Sequence, residues 1–159
     1  MDIEHYYIDK GQGEPLILLH GNGENCDYFK GQIDEFARYY HVYALDTRGH
    51  GKTPRGNAPF TIRQFADDLL GFMDAHSIDK AHLLGLMVND PNVLPAELSA
   101  IKAKTLVIAG TNDMIKDAHT RLIAQSIQDS QLVLIKGNHF IANKCPEAFN
   151  RAVLEFLNS

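Results

Sequence analysis

The chain has 159 residues, of which 45% are hydrophobic and 22% are charged, with a net charge of -5. This balance is typical of one globular domain and excludes a disordered or collagen-like chain. Two cysteines, Cys26 and Cys145, are too few for a disulfide framework, and the acidic balance argues against a nucleic-acid partner. No apolar run approaches the ~20 residues of a membrane span, and the first residues lack a signal-peptide pattern. We expect a single cytoplasmic domain over residues 1–159, with neither a nucleic-acid nor a membrane partner.

Short apolar runs recur along the chain, and each ends near a glycine or an aspartate. They are Leu16–Leu19, Val42–Leu45, Leu83–Leu86, Leu106–Ala109 and Leu132–Ile135. Continuous apolarity is typical of strands that are covered on both faces, as in a parallel sheet. The shorter segment Tyr6–Ile8 is predicted as an edge strand. The sequence therefore predicts about six strands.

Amphipathic patterns between these runs predict helices. The first carries Phe29, Ile33, Phe36, Ala37 and Tyr40 on one face. The second begins at Thr61, with Gln64 in a capping box, and is expected to turn Ile62, Phe65, Leu69 and Met73 inward. A short third helix starts at Pro95, a fourth covers about Asp117–Ile127 with Leu122, Ile123 and Ile127 as its apolar residues, and the last opens at Pro146. Alternating strands and helices predict a doubly wound, mostly parallel α/β sheet with helices on both faces.

A glycine-containing turn follows the first buried run, at the edge where parallel α/β sheets bind their ligands. It reads His20-Gly21-Asn22-Gly23. Its glycines allow a sharp turn whose backbone N–H groups are suited to stabilising an oxyanion. A plain strand-to-helix turn explains the same residues. The loop after the next run, Asp46–Thr53, is expected to hold itself together by hydrogen bonds.

Two further polar groups follow the last two buried runs, Asp113 after the fourth and His139 after the fifth. Neighbouring parallel strands bring such residues to one edge, where a carboxylate holds the Nδ1–H of an imidazole and fixes its tautomer. Considered separately, a capping aspartate and a turn histidine are the simpler interpretation. No His or Cys spacing of a metal site is present, so neither a metal nor a cofactor is expected.

Four motifs together carry a family resemblance over almost the whole chain. They begin at Leu16 (LILLHGNG), Leu45 (LDTRGHGKT), Thr105 (TLVIAGTND) and Lys136 (KGNH). In order and context they resemble the α/β-hydrolase superfamily, of the small esterase and acyl-hydrolase type. The resemblance implies that Asp113 is the acid, that His139 is the general base, and that Asn22 or Gly23 supplies an oxyanion-hole amide. A small acyl or ester compound is the ligand it implies.

The sequence departs from that family where the nucleophile belongs. The family's G-x-S-x-G elbow would follow His82-Leu83-Leu84-Gly85, but Met87 replaces the serine and Asn89 the second glycine. Only Leu86–Lys104 precedes the next strand, which is too short for the family's helix, strand and lid. We therefore expect a lidless hydrolase core shortened by an internal deletion, whose strand at Thr105 pairs beside the strand at Ala81. The sheet face left uncovered is expected to support a homodimer.

Two residues are weak alternatives for the missing nucleophile. Cys26 lies near a helix N-terminus, which lowers the pKa of a thiol, and Asp90 follows the elbow position. A small buried residue and a turn residue are the simpler interpretations. His139 is itself able to act as a base on water or to attack an activated ester. Two hypotheses follow, weak esterase activity carried by His139 and Asp113, or a non-catalytic scaffold or small-molecule-binding domain.

Overall fold

A computed structural model describes residues 2–85 and 95–159 of the chain. Its backbone contacts divide the chain into two compact units, of residues 1–88 and 89–159. The single-domain organisation expected from the sequence stays a prediction. Within the described residues, no helix is both long enough and apolar enough to span a membrane.

The first unit contains a four-stranded sheet. Its strands are β1 (Tyr7–Lys10), β2 (Pro15–Leu19), β3 (His41–Leu45) and β4 (His82–Gly85), in the spatial order β1-β3-β2-β4. Strand β1 is antiparallel to β3, whereas β2 is parallel to both β3 and β4. The predicted edge strand near Tyr6–Ile8 is confirmed, since β1 lies at one end of this order.

A short 3₁₀ turn and two helices complete the first unit. The turn Cys26–Phe29 leads into α1 (Lys30–Phe36), and α2 spans Ile62–Ala75. The predicted cap of α2 is confirmed, because Thr61 Oγ1 accepts a hydrogen bond from the Gln64 N–H at 3.1 Å. One cluster of buried apolar side chains joins this helix to the sheet. Its members are Ile17, Tyr43, Leu45, Phe72 and Ile78.

The buried face of α2 differs from the predicted one at its first residue. Phe65, Leu69 and Met73 are half-buried, but Ile62 is 50% exposed. Asp68 is buried on this helix instead, with only 2% of its surface exposed, because its carboxylate pairs with the guanidinium of Arg48. The prediction that Ile62 points inward is therefore wrong.

In the described part of the second unit, residues 95–159, two parallel strands pack with four helices. The helices are α3 (Pro95–Leu98), α4 (Asp117–Ser126), α5 (Ile141–Lys144) and α6 (Pro146–Leu157), and the strands are β5 (Thr105–Gly110) and β6 (Ser130–Ile135). Pro146 opens α6 as predicted. On α4 the buried residues are Thr120 and Ala124, whereas Leu122, which belongs to the apolar pattern of this helix, is 45% exposed. The half-buried Ile123 and the buried Ile127 lie on the same side as Ala124 in the helical repeat.

The six described strands and the helices between them confirm the α/β class. The hydrogen-bonded pairings form one sheet of four strands and one of two, with β5 paired to β6. The expected pairing of β5 directly beside β4 is not among the pairings of residues 2–85 and 95–159. The connection on which it depends includes residues 86–94, and Met87 and Asn89 lie there, outside the described residues.

Candidate active site

Asp113 and His139 lie together at one edge of the two-stranded sheet. Gly110 at the end of β5 is in register with Ile135 at the end of β6, so the loops that follow both strands leave the same edge. His139 Nδ1 lies 2.8 Å from Asp113 Oδ1. The contact predicted from the strand order is confirmed. The imidazole is 31% exposed and the carboxylate 8%, so the base reaches solvent while the acid is shielded.

Backbone groups hold the Asp113 carboxylate in place. Its Oδ1 accepts from the Ile115 N–H at 3.0 Å, and its Oδ2 accepts from the Gly110 N–H at 3.3 Å. Burial acts to raise the pKa of Asp113, but these bonds and the one from His139 outweigh it and leave the pKa below its ordinary value. The ionised carboxylate only accepts hydrogen bonds, so the Nδ1 of His139 carries the proton. In the neutral imidazole the Nε2 lone pair is then free to take a proton.

The two loops approach closely because residue 110 is a glycine. A β-carbon there would lie 2.5 Å from the carbonyl oxygens of both Gly137 and Asn138. The Asn112 N–H donates to the Gly137 carbonyl at 2.8 Å and so ties the loops together. The sequence interpretation did not single out Gly110. The signal was present, since a glycine ends the strand immediately before a polar loop.

The Asn22-Gly23 turn lies in the first unit. Gly23 has a φ of +79°, and the Glu24 side chain closes the turn by accepting from the Gly21 N–H at 3.0 Å. Both Asn22 and Gly23 are exposed, and within residues 2–85 and 95–159 their backbone N–H groups have no hydrogen-bond partner. Free amides of this kind are what an oxyanion site requires. The oxyanion role of these two residues stays a prediction.

One family model and several curated proteins match parts of the chain. The family model described as "alpha/beta hydrolase fold" matches residues 14–86. A succinate-derivative hydrolase of Acinetobacter baylyi, (E)-2-((N-methylformamido)methylene)succinate hydrolase, is 32% identical over 80 residues, which are 50% of this chain and 30% of that protein. The part of the chain that this model matches, residues 14–86, is therefore of the α/β-hydrolase fold.

A second curated α/β-hydrolase relative matches over a longer stretch. It is 2-hydroxy-6-oxo-6-(2'-aminophenyl)hexa-2,4-dienoic acid hydrolase of Metapseudomonas resinovorans, 29% identical over 129 residues, which are 76% of this chain and 43% of that protein. The aligned parts thus amount to less than half of the length of either curated relative.

Solved α/β-hydrolase structures share the fold. The enol-lactonase from Burkholderia xenovorans superposes with a TM-score of 0.91 at 20% identity, covering 99% of this chain and 97% of that chain. A thermophilic esterase from Thermogutta terrifontis gives a TM-score of 0.87 at 19% identity, with coverage of 98% and 93%. At such low identity these likenesses show the fold alone.

The structure treats the two alternative nucleophiles, Asp90 and Cys26, differently. Asp90 lies outside the described residues, as does the elbow position Met87. Cys26 is only 3% exposed, and burial together with the Asp46 carboxylate raises the pKa of its thiol to about 12. The expectation of a lowered thiol pKa is therefore wrong, because desolvation and the neighbouring negative charge disfavour a thiolate more than a nearby helix end favours it. The structure argues against Cys26 as the nucleophile.

The Asp46–Thr53 loop has the structural role predicted for it. The buried Asp46 carboxylate accepts from the Cys26 N–H at 2.7 Å and from the Lys52 N–H at 2.8 Å. Burial acts to raise the pKa of Asp46, but these two backbone bonds, together with the Cys26 thiol and His20, outweigh it, and the pKa is lowered overall. A carboxylate therefore ties the turn after β3 to the start of the 3₁₀ turn.

Proposed function

We propose that this chain is an acyl hydrolase of esterase-like lineage that retains the acid and the base of the family but lacks its serine nucleophile. The observation that carries the proposal is the 2.8 Å contact between His139 Nδ1 and Asp113 Oδ1. The substrate class is a small carboxylic ester, and the activity is slow. The similar proteins include a hydrolase, an enol-lactonase and an esterase, which supports chemistry at an acyl carbon.

In the proposed reaction His139 acts as a general base on water. Its Nε2 takes a proton while the water oxygen bonds to the ester carbonyl carbon, and the carbonyl oxygen becomes an oxyanion. The bond to the leaving alkoxide or aryloxide then breaks, and the leaving group receives the proton from Nε2. Asp113 stabilises the imidazolium that forms in between. As a separate part of the proposal, the free amides of Asn22 and Gly23 in the first unit are assigned the role of oxyanion donors.

The serines of the chain support the absence of a serine mechanism. They are Ser77, Ser99, Ser126, Ser130 and Ser159. None of them follows the carboxyl end of a described strand, where the family's elbow would present it. General base catalysis by itself contributes roughly 10²- to 10⁴-fold, far below a complete triad with its oxyanion hole. Only esters with a good leaving group are therefore expected to turn over measurably.

Hydrolysis of p-nitrophenyl acetate tests the proposal. We expect His139→Ala to reduce turnover to the buffer rate, a loss on the order of 10²-fold. Asp113→Asn should also reduce it, because the tautomer is no longer fixed. His119→Ala, an exposed histidine on α4, is the matched control and should change nothing. Turnover that survives in His139→Ala contradicts the proposal.

A fluorophosphonate probe tests the missing serine directly, because it reacts with activated serine hydroxyls. We expect no covalent adduct by intact-protein mass spectrometry. An adduct located on any serine would show that a serine nucleophile exists, and the proposed mechanism would then be wrong.

The second candidate function is a non-catalytic scaffold or binding domain. Met87 at the elbow position of the sequence favours it, because a thioether is not a nucleophile for esters. This candidate predicts that turnover equals the buffer rate in the unmodified chain. Robust turnover that a single substitution abolishes would exclude it.

We also propose that the chain forms a homodimer through apolar surface in its first unit. Leu70 on α2 is 59% exposed and Leu83 on β4 is 57% exposed. Burial of such side chains favours self-association. Sedimentation equilibrium of the unmodified chain and of Leu70→Gln tests this, with a shift from dimer to monomer expected in the variant. If the unmodified chain is monomeric at micromolar concentration, the homodimer proposal is wrong.

A further inference from the structure

The proton positions on His20 follow from its hydrogen bonds. Its Nδ1 lies 2.8 Å from the carbonyl oxygen of Gly21, which only accepts, so Nδ1 carries the proton. The backbone N–H of Thr47 donates to Nε2 at 3.0 Å, so Nε2 carries none. Burial lowers the pKa of His20, although the bond to Gly21 acts in the opposite direction. His20 is therefore a neutral imidazole that links the strand end of β2 to the loop after β3.

His50 continues this chain of hydrogen bonds. Its Nδ1 lies 3.0 Å from the Arg48 carbonyl oxygen and 3.1 Å from Thr47 Oγ1, so this nitrogen also carries a proton. Its other nitrogen, Nε2, lies 3.3 Å from Oδ1 of the Asn22 side-chain amide. A neutral His50 accepts from the amide nitrogen of Asn22, and an imidazolium donates to the amide oxygen. The amide provides both groups, so His50 bonds to Asn22 in either charge state.

Aromatic contacts fix the orientation of the His50 ring. Phe60 stacks on it with ring centroids 5.8 Å apart and planes at 26°, and Phe65 packs edge-on against Phe60 at 4.9 Å. The His20 ring lies 5.2 Å away on an edge contact. The ring is thus held by its Nδ1 bonds and by its neighbours, and Nε2 is directed at Asn22.

Two hydrogen bonds between Gly21 and Glu24 close the turn that receives this contact, because the Glu24 N–H donates to the Gly21 carbonyl at 3.3 Å in addition to the side-chain bond. Neither of them holds the side chain of Asn22. Gly23 has a φ of +79°, and a β-carbon at this residue would meet nothing within 4 Å. Because glycine has no β-carbon, its backbone has more conformational freedom than that of any other residue. The Glu24 side chain fixes one end of the turn through the Gly21 N–H. Asn22, in the middle of the turn, is fixed by its side chain.

We infer that His50 is a positioning residue that holds the Asn22-Gly23 turn in its amide-presenting conformation through the side chain of Asn22. The inference rests on the proposed function in one respect, since the oxyanion role of these amides is part of that proposal. The physical basis is preorganisation, because an oxyanion donor stabilises a transition state fully only when its orientation is set beforehand. His50 acts through Asn22 and makes no contact with the reacting atoms.

A double-mutant cycle between His50→Phe and Asn22→Ala tests the link. Phenylalanine keeps the stacking on Phe60 and removes both nitrogens, whereas Asn22→Ala keeps the backbone amide and removes the side chain. We expect each single variant to lower the ¹⁵N order parameter of the Gly23 amide from about 0.85 towards 0.6. Each should also lower kcat for p-nitrophenyl acetate by the same factor with KM unchanged. The double variant should show no further change, because each substitution already removes the contact between His50 and Asn22.

Two further variants complete the experiment. His50→Gln places an amide near the position of Nε2, so the Gly23 order parameter should return towards that of the unmodified chain. His119→Phe on α4 is the matched control, and it should leave both readouts unchanged. If His50→Phe melts at a much lower temperature than the unmodified chain, Asn22→Ala is compared with His50→Gln instead.

Two results would overturn the inference. One is a Gly23 order parameter that does not change when His50 or Asn22 is replaced, and the other is effects that add in the double variant. The order parameter is measured without substrate. Failure of the proposed hydrolysis, seen as turnover independent of His139, is therefore distinguishable from failure of the His50–Asn22 link.

Discussion

Arg48 and Asp68 form a two-pronged ion pair whose side chains are almost completely shielded from water. Arg48 Nε and Nη2 each donate to a different oxygen of Asp68 at 2.7 Å, and the two side chains are 0% and 2% exposed. The same guanidinium donates to Asp2 at 2.6 Å and to the Arg55 carbonyl at 3.0 Å. One cation thus connects α2, the loop after β3 and the N-terminal segment.

Removing the negative partner of this pair should strongly destabilise the first unit. In Asp68→Asn the buried guanidinium keeps only the partly exposed Asp2 carboxylate as a charged partner, and we expect the free energy of unfolding to fall by about 3 kcal/mol. All six tyrosines lie between Tyr6 and Tyr43, so tyrosine fluorescence during urea unfolding reports on this unit. Asp117→Asn, which breaks an exposed pair with Arg121, is the control and should show no measurable change by far-UV circular dichroism. A fluorescence midpoint unchanged in Asp68→Asn would show that the buried pair contributes little.

Stability of the first unit should fall as the pH drops below about 6.5, the ordinary value for a histidine in an unfolded chain. Burial lowers the pKa of His5, with Arg48 and His76 acting in the same direction and Asp68 against it. A lowered pKa means that the unfolded chain binds the proton first, so acid favours unfolding. Burial lowers the pKa of His20 as well, which gives the same sign. Urea midpoints between about pH 5 and 7 measure the effect.

His5→Phe should flatten this pH dependence without destabilising the unit at neutral pH. His5 Nδ1 is buried and has no hydrogen-bond partner among the described residues, and its ring packs edge-on against Phe72 at 5.9 Å. Phenylalanine keeps a ring there and removes the unpaired polar atom, which is neutral or stabilising. His119→Phe should leave the pH dependence as it was. A pH dependence that is equally steep in His5→Phe would assign the titration to other groups, of which His20 is the first to replace.

The two thiols should react with Ellman's reagent at very different rates. Cys145 is half-buried, whereas Cys26 is buried and the pKa of its thiol is raised to about 12. Each unit of pKa lowers the thiolate fraction tenfold, so Cys26 should react about 10³-fold more slowly than an ordinary thiol. We expect one fast equivalent per chain, lost in Cys145→Ser, and a second equivalent only after unfolding. A fast equivalent remaining in Cys145→Ser would contradict the buried environment of Cys26.

Gly51→Ala should lower the free energy of unfolding more than Gly23→Ala does, although both glycines have positive φ. At Gly23 a β-carbon meets nothing, so only the left-handed conformation is penalised, by about 1 to 2 kcal/mol. At Gly51 it would also collide with the Asp46 carboxylate. Displacing that carboxylate leaves the Cys26 and Lys52 N–H groups without their acceptor, which adds about 1 to 3 kcal/mol. Equal urea midpoints for the two variants would show that the Asp46 contacts are dispensable.

The sequence by itself determined the elements and one important contact. The cap formed by Thr61 on Gln64 and the proline that opens α6 depend on residues that are close along the chain, so a local pattern identifies them. The pairing of Asp113 with His139 depends only on two adjacent parallel strands ending at one edge. Strand order and spacing were sufficient to predict it.

Only the tertiary structure determined the surroundings of several side chains, including those of Asp68, Cys26 and His50. Asp68 is buried because Arg48, 20 residues away, lies against it, and periodicity carries no information about such a partner. The thiol of Cys26 has a raised pKa because Asp46, from another strand end, lies beside it in a shielded site. The contact between His50 and Asn22 likewise joins two loops that are 28 residues apart. Desolvation and charge act through space, so these properties follow from the folded neighbourhood and not from the order of residues along the chain.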